Sequence, residues 1–358
     1  MLNVREIVRK MHEYHPPLAG RHGLRLDFNE NTDGCSPRVL ERIQMISAEE
    51  LARYPEREPV ERIVAERLRL AAEQVLLTNG VDEAIHLLCE AYLEPTNEIM
   101  VVTPTFGMYE IFAEATGARV VHVQCGRDLQ FPFNAIMEAI TPATRLIAIA
   151  SPNNPTGGVA SREQLLAIAA AAPDAAALVD EAYYEFHGKS VVCEIVGQRN
   201  LFVARTFSKA YGLAGLRIGV LVGSGNQLQM VRRVSSPYSV NAVALAALPV
   251  ALDDGEYVAG YVEQVLAGRQ RVERELSALG LTWWPSEANF VLLRVGAQHG
   301  EFVEAMRKRG ILVRDRSTDP GCDGCVRITI GTTPQMDRCS EALRDVAAEL
   351  KLRAEVQA

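Results

Sequence analysis

The chain has 358 residues, 48% of them hydrophobic, with a formal net charge of −8 and seven cysteines. That is ample chain for a core in one large or two modest domains, and the acidic balance, spread along the chain, excludes the basic face a nucleic-acid partner needs. No run approaches the ~20 apolar residues of a membrane span, and an odd number of scattered cysteines is not a disulfide framework.

Residues 1–32 read as an arm, because Pro16, Pro17 and Gly20 interrupt any continuous helix; a short strand is expected at 24–28. The N-terminal stretch has no apolar signal core, which predicts a cytoplasmic protein. A helical pattern covers about 38–46, Arg53, Tyr54 and Pro55 fall in a loop, and 60–70 reads as a helix. Strands and helices then alternate. Strands are predicted at 75–77, 99–102, 120–123, 146–150, 177–179 and 201–204, and helices at 82–93, from about 108, at 133–140 and at 162–171. A second apolar run follows Arg217. Alternation of this kind builds a mostly parallel sheet with helices on both faces, here a large domain over 33–235. Near Ser235 the rhythm changes. Helical patterns at 240–251 and 257–279 precede a strand at 290–293, a helix at 301–309, strands at 311–313 and 326–330, and a final helix from about 334. This reads as a smaller α/β domain over 236–358.

In an open parallel sheet, ligands bind beyond the carboxyl ends of the strands, so the residues that follow each strand carry the functional signal. After the strand at 75–77 come Thr78, Asn79, Gly80, Val81 and Asp82, a small turn opening a helix whose free N–H groups suit a phosphate. Phe106 follows the next strand and puts an aromatic ring at the sheet edge. The segment Ser-Pro-Asn-Asn-Pro-Thr-Gly, with Asn154, follows 146–150; Asp180, Glu181, Ala182 and Tyr183 follow 177–179. After 201–204 come Thr206, Ser208 and Lys209, with Arg217 eight residues further on.

Each feature alone has a plain structural explanation: a turn, a cap, a core aromatic, a solvated loop lysine. A partly desolvated lysine is equally an amine of lowered pKa that attacks an aldehyde to form a Schiff base. Thr206, Ser208 and Arg217 beside it suit a phosphate. Taken together, the five strand ends supply a phosphate cradle, an aromatic lid, an amide, an acid, a phenol and an amine. That is the set a pyridoxal 5′-phosphate (PLP) site requires, with the acid keeping the pyridine nitrogen protonated. No metal is expected: Cys322 and Cys325 form a C-x-x-C in a Gly/Asp/Pro turn with no second ligand pair, and they read as turn cysteines. Gly223 and Gly225 do not begin a nucleotide loop, since Leu228 stands where a third glycine would be needed.

At these residues the chain resembles the fold-type I PLP-dependent aminotransferases of classes I and II. SPNNPTG, VDEAY and TFSKAYGLAGLRIG match that family's three signature segments in order and spacing, and the resemblance covers essentially the whole chain. It implies roles. Lys209 would bond the cofactor aldehyde and later move the proton. Asp180 would pair with the ring nitrogen, Asn154 and Tyr183 would bond the ring's 3-oxygen, and Phe106 would stack on the ring. Val81, Asp82, Thr206, Ser208 and Arg217 would hold the phosphate, and Tyr54 would reach the phosphate of the neighbouring subunit in a homodimer. Lys209, Asp180 and Tyr183 would be the catalytic set.

The C-terminal third resembles the histidinol-phosphate aminotransferases, in which Arg314 lies thirteen residues before Arg327. The resemblance implies that Arg327 binds the carboxylate of glutamate or the phosphate of histidinol phosphate, and that Arg314 adds a second cation. Two arginines suit a dianion. On the residues alone Arg314 is also a candidate ion-pair partner of Asp315 or Asp319. The N-terminal stretch resembles the same family, with Tyr14 near the substrate phosphate and Asn29 or Asn31 at the pocket wall. Phe106 stands where that pattern often has tyrosine, and stacking survives the change. The expected reaction is amino transfer between histidinol phosphate and 2-oxoglutarate, small-molecule substrates, in histidine biosynthesis. An aromatic-amino-acid aminotransferase or a threonine-phosphate decarboxylase of the same fold are the alternatives.

Overall fold

The computed structural model describes residues 2–352 except 16 and 19; Pro16, part of the expected arm, lies outside the described residues. Thirteen strands are present among these: β1 (Leu24–Arg25), β2 (Val75–Thr78), β3 (Glu98–Thr103), β4 (Arg119–Gln124), β5 (Thr144–Ala150), β6 (Ala176–Asp180), β7 (Leu201–Thr206), β8 (Gly219–Val222), β9 (Thr282–Trp284), β10 (Phe290–Arg294), β11 (Ile311–Leu312), β12 (Arg314–Asp315) and β13 (Cys325–Thr329).

The first long sheet runs β2-β8-β7-β6-β5-β3-β4. Every residue of β2, β3, β6, β7 and β8 is buried. Such strands read as unbroken Val/Leu/Ile runs because helices cover both faces. The edge strand β4 instead carries Arg119, His122 and Gln124 outward, polar side chains that blunt an open edge. β3 to β7 are mutually parallel, while β8 is antiparallel to both β7 and β2. The segment joining β7 to β8 contains only a three-residue 3₁₀ turn, Ala214–Leu216. It has no crossover helix, and a parallel return needs one. The α/β class with a mostly parallel sheet is therefore as expected.

A second sheet, β12-β13-β10-β9, is antiparallel throughout. The helices Gly255–Ala278 and Thr333–Glu349 contact each other beside it. Their core residues Val265, Val272, Leu343 and Val346 join Phe290 and Ile328 of the sheet in one cluster. The helix Ala242–Asp253 packs instead against Pro37–Gln44 and Glu58–Leu68, in the core of the large sheet. The strand β9 and the short helices Ala48–Ala52 and Gly225–Val231 were not expected from the sequence. β9 is only three residues long and none of them is fully buried, so it has neither the length nor the periodicity that marks a strand.

The N-terminal segment is threaded through the rest of the molecule. β1 pairs in parallel with β11, and the Thr329 N–H donates to the Leu26 carbonyl at 2.9 Å. Further on, Gly34 abuts the turn after Lys209: Gly212 has φ +70°, and a Cβ there would lie 2.3 Å from the Gly34 carbonyl oxygen. Gly212→Ala combines a left-handed backbone with that collision. It is expected to destabilise the fold by more than about 1 kcal/mol, read as a lowered denaturation midpoint at unchanged m-value.

Candidate active site

Strand register brings the chemistry together. Ala150 pairs with Asp180 and Asp180 with Ala204; Gly219 sits between Thr206 and Thr78. The carboxyl ends of β2, β5, β6 and β7 thus finish nearly flush. In the second sheet Arg314 is directly opposite Arg327, and side chains opposite each other share a face. These ends, with arm residues 27–30, enclose a cavity of about 410 Å³. It is lined by Tyr14, Asn29, Val81, Asp82, Phe106, Asn154, Asp180, Tyr183, Thr206, Ser208, Lys209, Arg217, Arg314 and Arg327.

Lys209 follows β7 and donates from Nζ to the Phe28 carbonyl at 3.2 Å. It makes no ion pair among the described residues. Burial, and then repulsion from Arg327, lowers its pKa to about 8. An ordinary lysine is almost wholly protonated at neutral pH; this one has a substantial fraction of free amine. Asp180 ends β6 and is 4% exposed. Burial raises its pKa to about 6, opposed by two donors: the Tyr109 hydroxyl at 2.5 Å on Oδ2 and the Ala182 N–H at 3.0 Å on Oδ1. The carboxylate form is thereby kept at neutral pH.

Around the amine, Asn29 donates from Nδ2 to the Tyr183 hydroxyl at 2.9 Å, and Thr329 donates to Asn29 Oδ1 at 3.1 Å. Asn29 has φ +55°, a left-handed conformation that asparagine tolerates better than most residues. Asn153, the first asparagine of the Ser-Pro-Asn-Asn segment, fixes the loop by donating to the Pro104 carbonyl and accepting from Thr105. Asn154 is left to face the cavity, where it accepts from Arg327.

An anion fits beside Lys209. The Ser208 N–H donates to Thr206 Oγ1 at 3.1 Å, while Ser208 Oγ is buried with no partner. The helix Gly80–Tyr92 begins here without a side-chain cap, so its first N–H groups point out unclaimed. Arg217 reaches Asp82 at 3.0 Å. Its guanidinium lies so close to Gly80 that a Cβ on that residue would come within 2.6 Å of Nη2; glycine admits the arginine to the cradle. An orphaned hydroxyl, open N–H groups and a guanidinium around one point suit a phosphate.

Arg327 is 4% exposed and donates to the Asp27 carbonyl at 2.7 Å as well as to Asn154. No carboxylate pairs with it among the described residues, and burial lowers its pKa to about 10. Arg314 likewise has no ion pair there; its guanidinium lies 5.2 Å from the Phe28 ring. The neighbouring acids are taken by others, Asp315 by His299 and Asp319 by Arg316. The arginines are thus available to an incoming anion.

Two of the expected residues do not line this cavity, and of these Tyr54 was expected at a neighbouring subunit's phosphate rather than here. Tyr54 is 78% exposed on the surface and stacks on Tyr238 with centroids 4.5 Å apart. Asn31 does not line the cavity: it donates to the Ala210 carbonyl and accepts from the N–H groups of Asp33 and Gly34, holding the arm to the turn after Lys209. Conversely, Tyr109, Phe28, Glu30 and Arg316 line the cavity without having been singled out, as does Asp319, which was considered only as an ion-pair partner of Arg314. The helical spacing of Tyr109 from Phe106 was the signal for the first; the others reach the site through backbone paths with no motif. No group of His, Cys, Asp and Glu among the described residues could hold a metal ion.

Comparison with known proteins agrees with this geometry. The family described as aminotransferase class I and II matches residues 21–343. The chain is 37% identical over 365 residues to a histidinol-phosphate aminotransferase of Symbiobacterium thermophilum, covering 98% of this chain and all (100%) of that one. It is 36% identical over 329 residues to one of Dehalococcoides mccartyi strain CBDB1, covering 90% of each. The crystal structure of the Sinorhizobium meliloti histidinol-phosphate aminotransferase in complex with pyridoxal 5′-phosphate has the same fold, with a TM-score of 0.90 at 24% identity over 98% of this chain and 99% of that one.

Proposed function

This chain belongs to the class I and II aminotransferases, and we propose that it transfers the amino group of L-histidinol phosphate to 2-oxoglutarate, giving imidazole acetol phosphate and L-glutamate. Its cofactor is pyridoxal 5′-phosphate, which supplies an electron sink for the carbon that loses its proton. The observation that carries the reading is one cavity holding an amine of lowered pKa, a buried acid, an orphaned hydroxyl beside Arg217 and two arginines without ion pairs among the described residues.

In this reading Lys209, Asp180 and Tyr183 are the catalytic residues. Lys209 would supply the amine for the cofactor aldehyde and would then be the base that moves the proton from the substrate carbon, work suited to a group of pKa about 8. The Asp180 carboxylate holds the ring nitrogen in its protonated form. Tyr183, with its oxygen already accepting from Asn29, keeps its own proton to donate to the ring oxygen, next to Asn154. Phe106 covers the ring. Val81, Asp82, Thr206, Ser208 and Arg217 hold the cofactor phosphate. Arg327 and Arg314 receive the substrate anion, with Asn29 and Tyr14 at the wall. Tyr14 lines the cavity while half exposed, at its mouth.

We further read the enzyme as a homodimer and as cytoplasmic. Met45, Leu51 and Tyr54 are exposed within one short stretch that runs from the end of one helix through the next into a loop, apolar surface that suits a second copy bringing Tyr54 to the partner's phosphate. All seven cysteines are unpaired, which suits a reducing compartment. No helix among the described residues is long and apolar enough to cross a membrane.

The test is the first half-reaction. Protein reconstituted with PLP and mixed with histidinol phosphate, without acceptor, is expected to lose its visible absorbance and to regain it on adding 2-oxoglutarate. Loss with phenylalanine or tyrosine but not with histidinol phosphate would point to an aromatic-amino-acid aminotransferase. Release of CO₂ without need of an acceptor would identify a decarboxylase.

A further inference from the structure

Asp180 is the most deeply committed charge in the site. It is 4% exposed, at the end of a fully buried strand, and no cationic side chain pairs with it among the described residues. Leaving a carboxylate there costs several kcal/mol unless hydrogen bonds replace the lost water. The protein provides two. One is the Ala182 N–H, which any residue but proline at that position would supply. The other is the Tyr109 hydroxyl at 2.5 Å, a short contact of the length expected for a hydroxyl donating to an ionised oxygen.

Tyr109 itself is wholly buried, on the first turn of the helix Met108–Thr116. Its ring meets Phe106 edge-on, with centroids 6.0 Å apart. Burial and the neighbouring Asp180 charge hold its phenol well above the ordinary pKa, so the group is a permanent donor. Its hydroxyl has no second partner among the described residues. The oxygen is therefore spent entirely on Asp180, and Tyr109, three residues after Phe106 in the loop-to-helix junction, carries the group that orients the acid.

We propose that Tyr109 is a positioning residue for this reaction: its hydroxyl fixes Asp180 Oδ2 and keeps that carboxylate ionised, so that Asp180 can hold the cofactor's protonated ring nitrogen. The proposal rests on the reading of Asp180 given above. Other charges facing Asp180, those of Asp82 and Glu181, favour its protonation, which leaves the phenol and the Ala182 N–H as the groups that oppose it. A donor to a buried carboxylate contributes about 1.5–3 kcal/mol, so its loss is about a tenfold effect or more.

The test is a double-mutant cycle in the full chain with Tyr109→Phe, Asp180→Asn and both together. Tyr109→Phe keeps the ring and its contact with Phe106, and a thermal melt confirms the fold. Two quantities are read: the affinity of each apoprotein for PLP, and kcat with KM for the amino donor. Tyr109→Phe is expected to weaken PLP binding and lower kcat about tenfold with KM unchanged. On the Asp180→Asn background it should cost nothing further. Full additivity of the two losses, or wild-type affinity and kcat in Tyr109→Phe, would overturn the proposal. If Asp180→Asn alone leaves both quantities at wild-type values, the parent reading of Asp180 fails and takes the proposal with it.

Discussion

Lys209→Ala is expected to lower kcat by at least about 10,000-fold, the scale seen when the group that bonds to substrate or cofactor is removed outright, and to abolish the visible absorbance of the reconstituted protein. The reason is local. No second lysine lines the cavity, so nothing can take over either the bond to the aldehyde or the proton transfer. The fold should survive. Lys209 makes one hydrogen bond, to the Phe28 carbonyl, and truncating a buried amine removes a desolvated charge as well as a contact. Its pH behaviour provides a second check on wild-type apoprotein. Burial lowers this amine to about 8, so it is mostly protonated below that pH and mostly free above it. The rate of reaction with PLP should rise as pH passes through about 8 and level off beyond. A rise that continues to the range of an exposed lysine would mean that the reacting amine lies elsewhere, and full activity in Lys209→Ala would end its catalytic role.

How this site could be read from sequence, and where the reading stopped, follows from what each residue does. Asp180 ends β6, and Ser208 and Lys209 closely follow β7; polar residues at the ends of buried strands have few structural reasons to exist. Their meaning is in the one-dimensional pattern. Arg314 and Arg327 were legible through the resemblance to the histidinol-phosphate aminotransferases, but the reason they converge, direct opposition across β12 and β13, needs register. Tyr109 was passed over because a tyrosine on an amphipathic helix looks like core, and by burial it is core. Only the 2.5 Å contact separates the two roles. The arm was the hardest part. Asp27 and Phe28 serve the site through their carbonyls, accepting from Arg327 and Lys209, and a backbone oxygen leaves no trace in the residue type. Arg21 is equally silent in sequence: it holds that segment by a double hydrogen bond to Asp27 and a third to Glu30, with its guanidinium 4.3 Å from the Phe28 ring. Asn31 shows the reverse error, a polar residue beside a motif whose hydrogen bonds all go to backbone.

The second large effect is expected at Arg327, where activity and stability should part company. The guanidinium is buried without a carboxylate partner, and burial lowers its pKa to about 10. An uncompensated buried charge is a standing cost to the fold, which the proposed role in binding a substrate anion would offset. Arg327→Met removes that cost and fills similar volume, while stranding two acceptors, the Asp27 carbonyl and Asn154 Oδ1. The opposing terms are each of the order of 1 to a few kcal/mol. The melting temperature should therefore be unchanged or higher, while loss of two charge-assisted hydrogen bonds to the substrate lowers kcat/KM about 100- to 10,000-fold. Arg314→Ala separates the two anions. In the proposed reading its guanidinium is the second cation for a dianion, so KM should rise for histidinol phosphate and change little for glutamate. A melting temperature that collapses in Arg327→Met would show that this arginine is held for the fold, and equal losses for both substrates in Arg314→Ala would show that it does not read the phosphate.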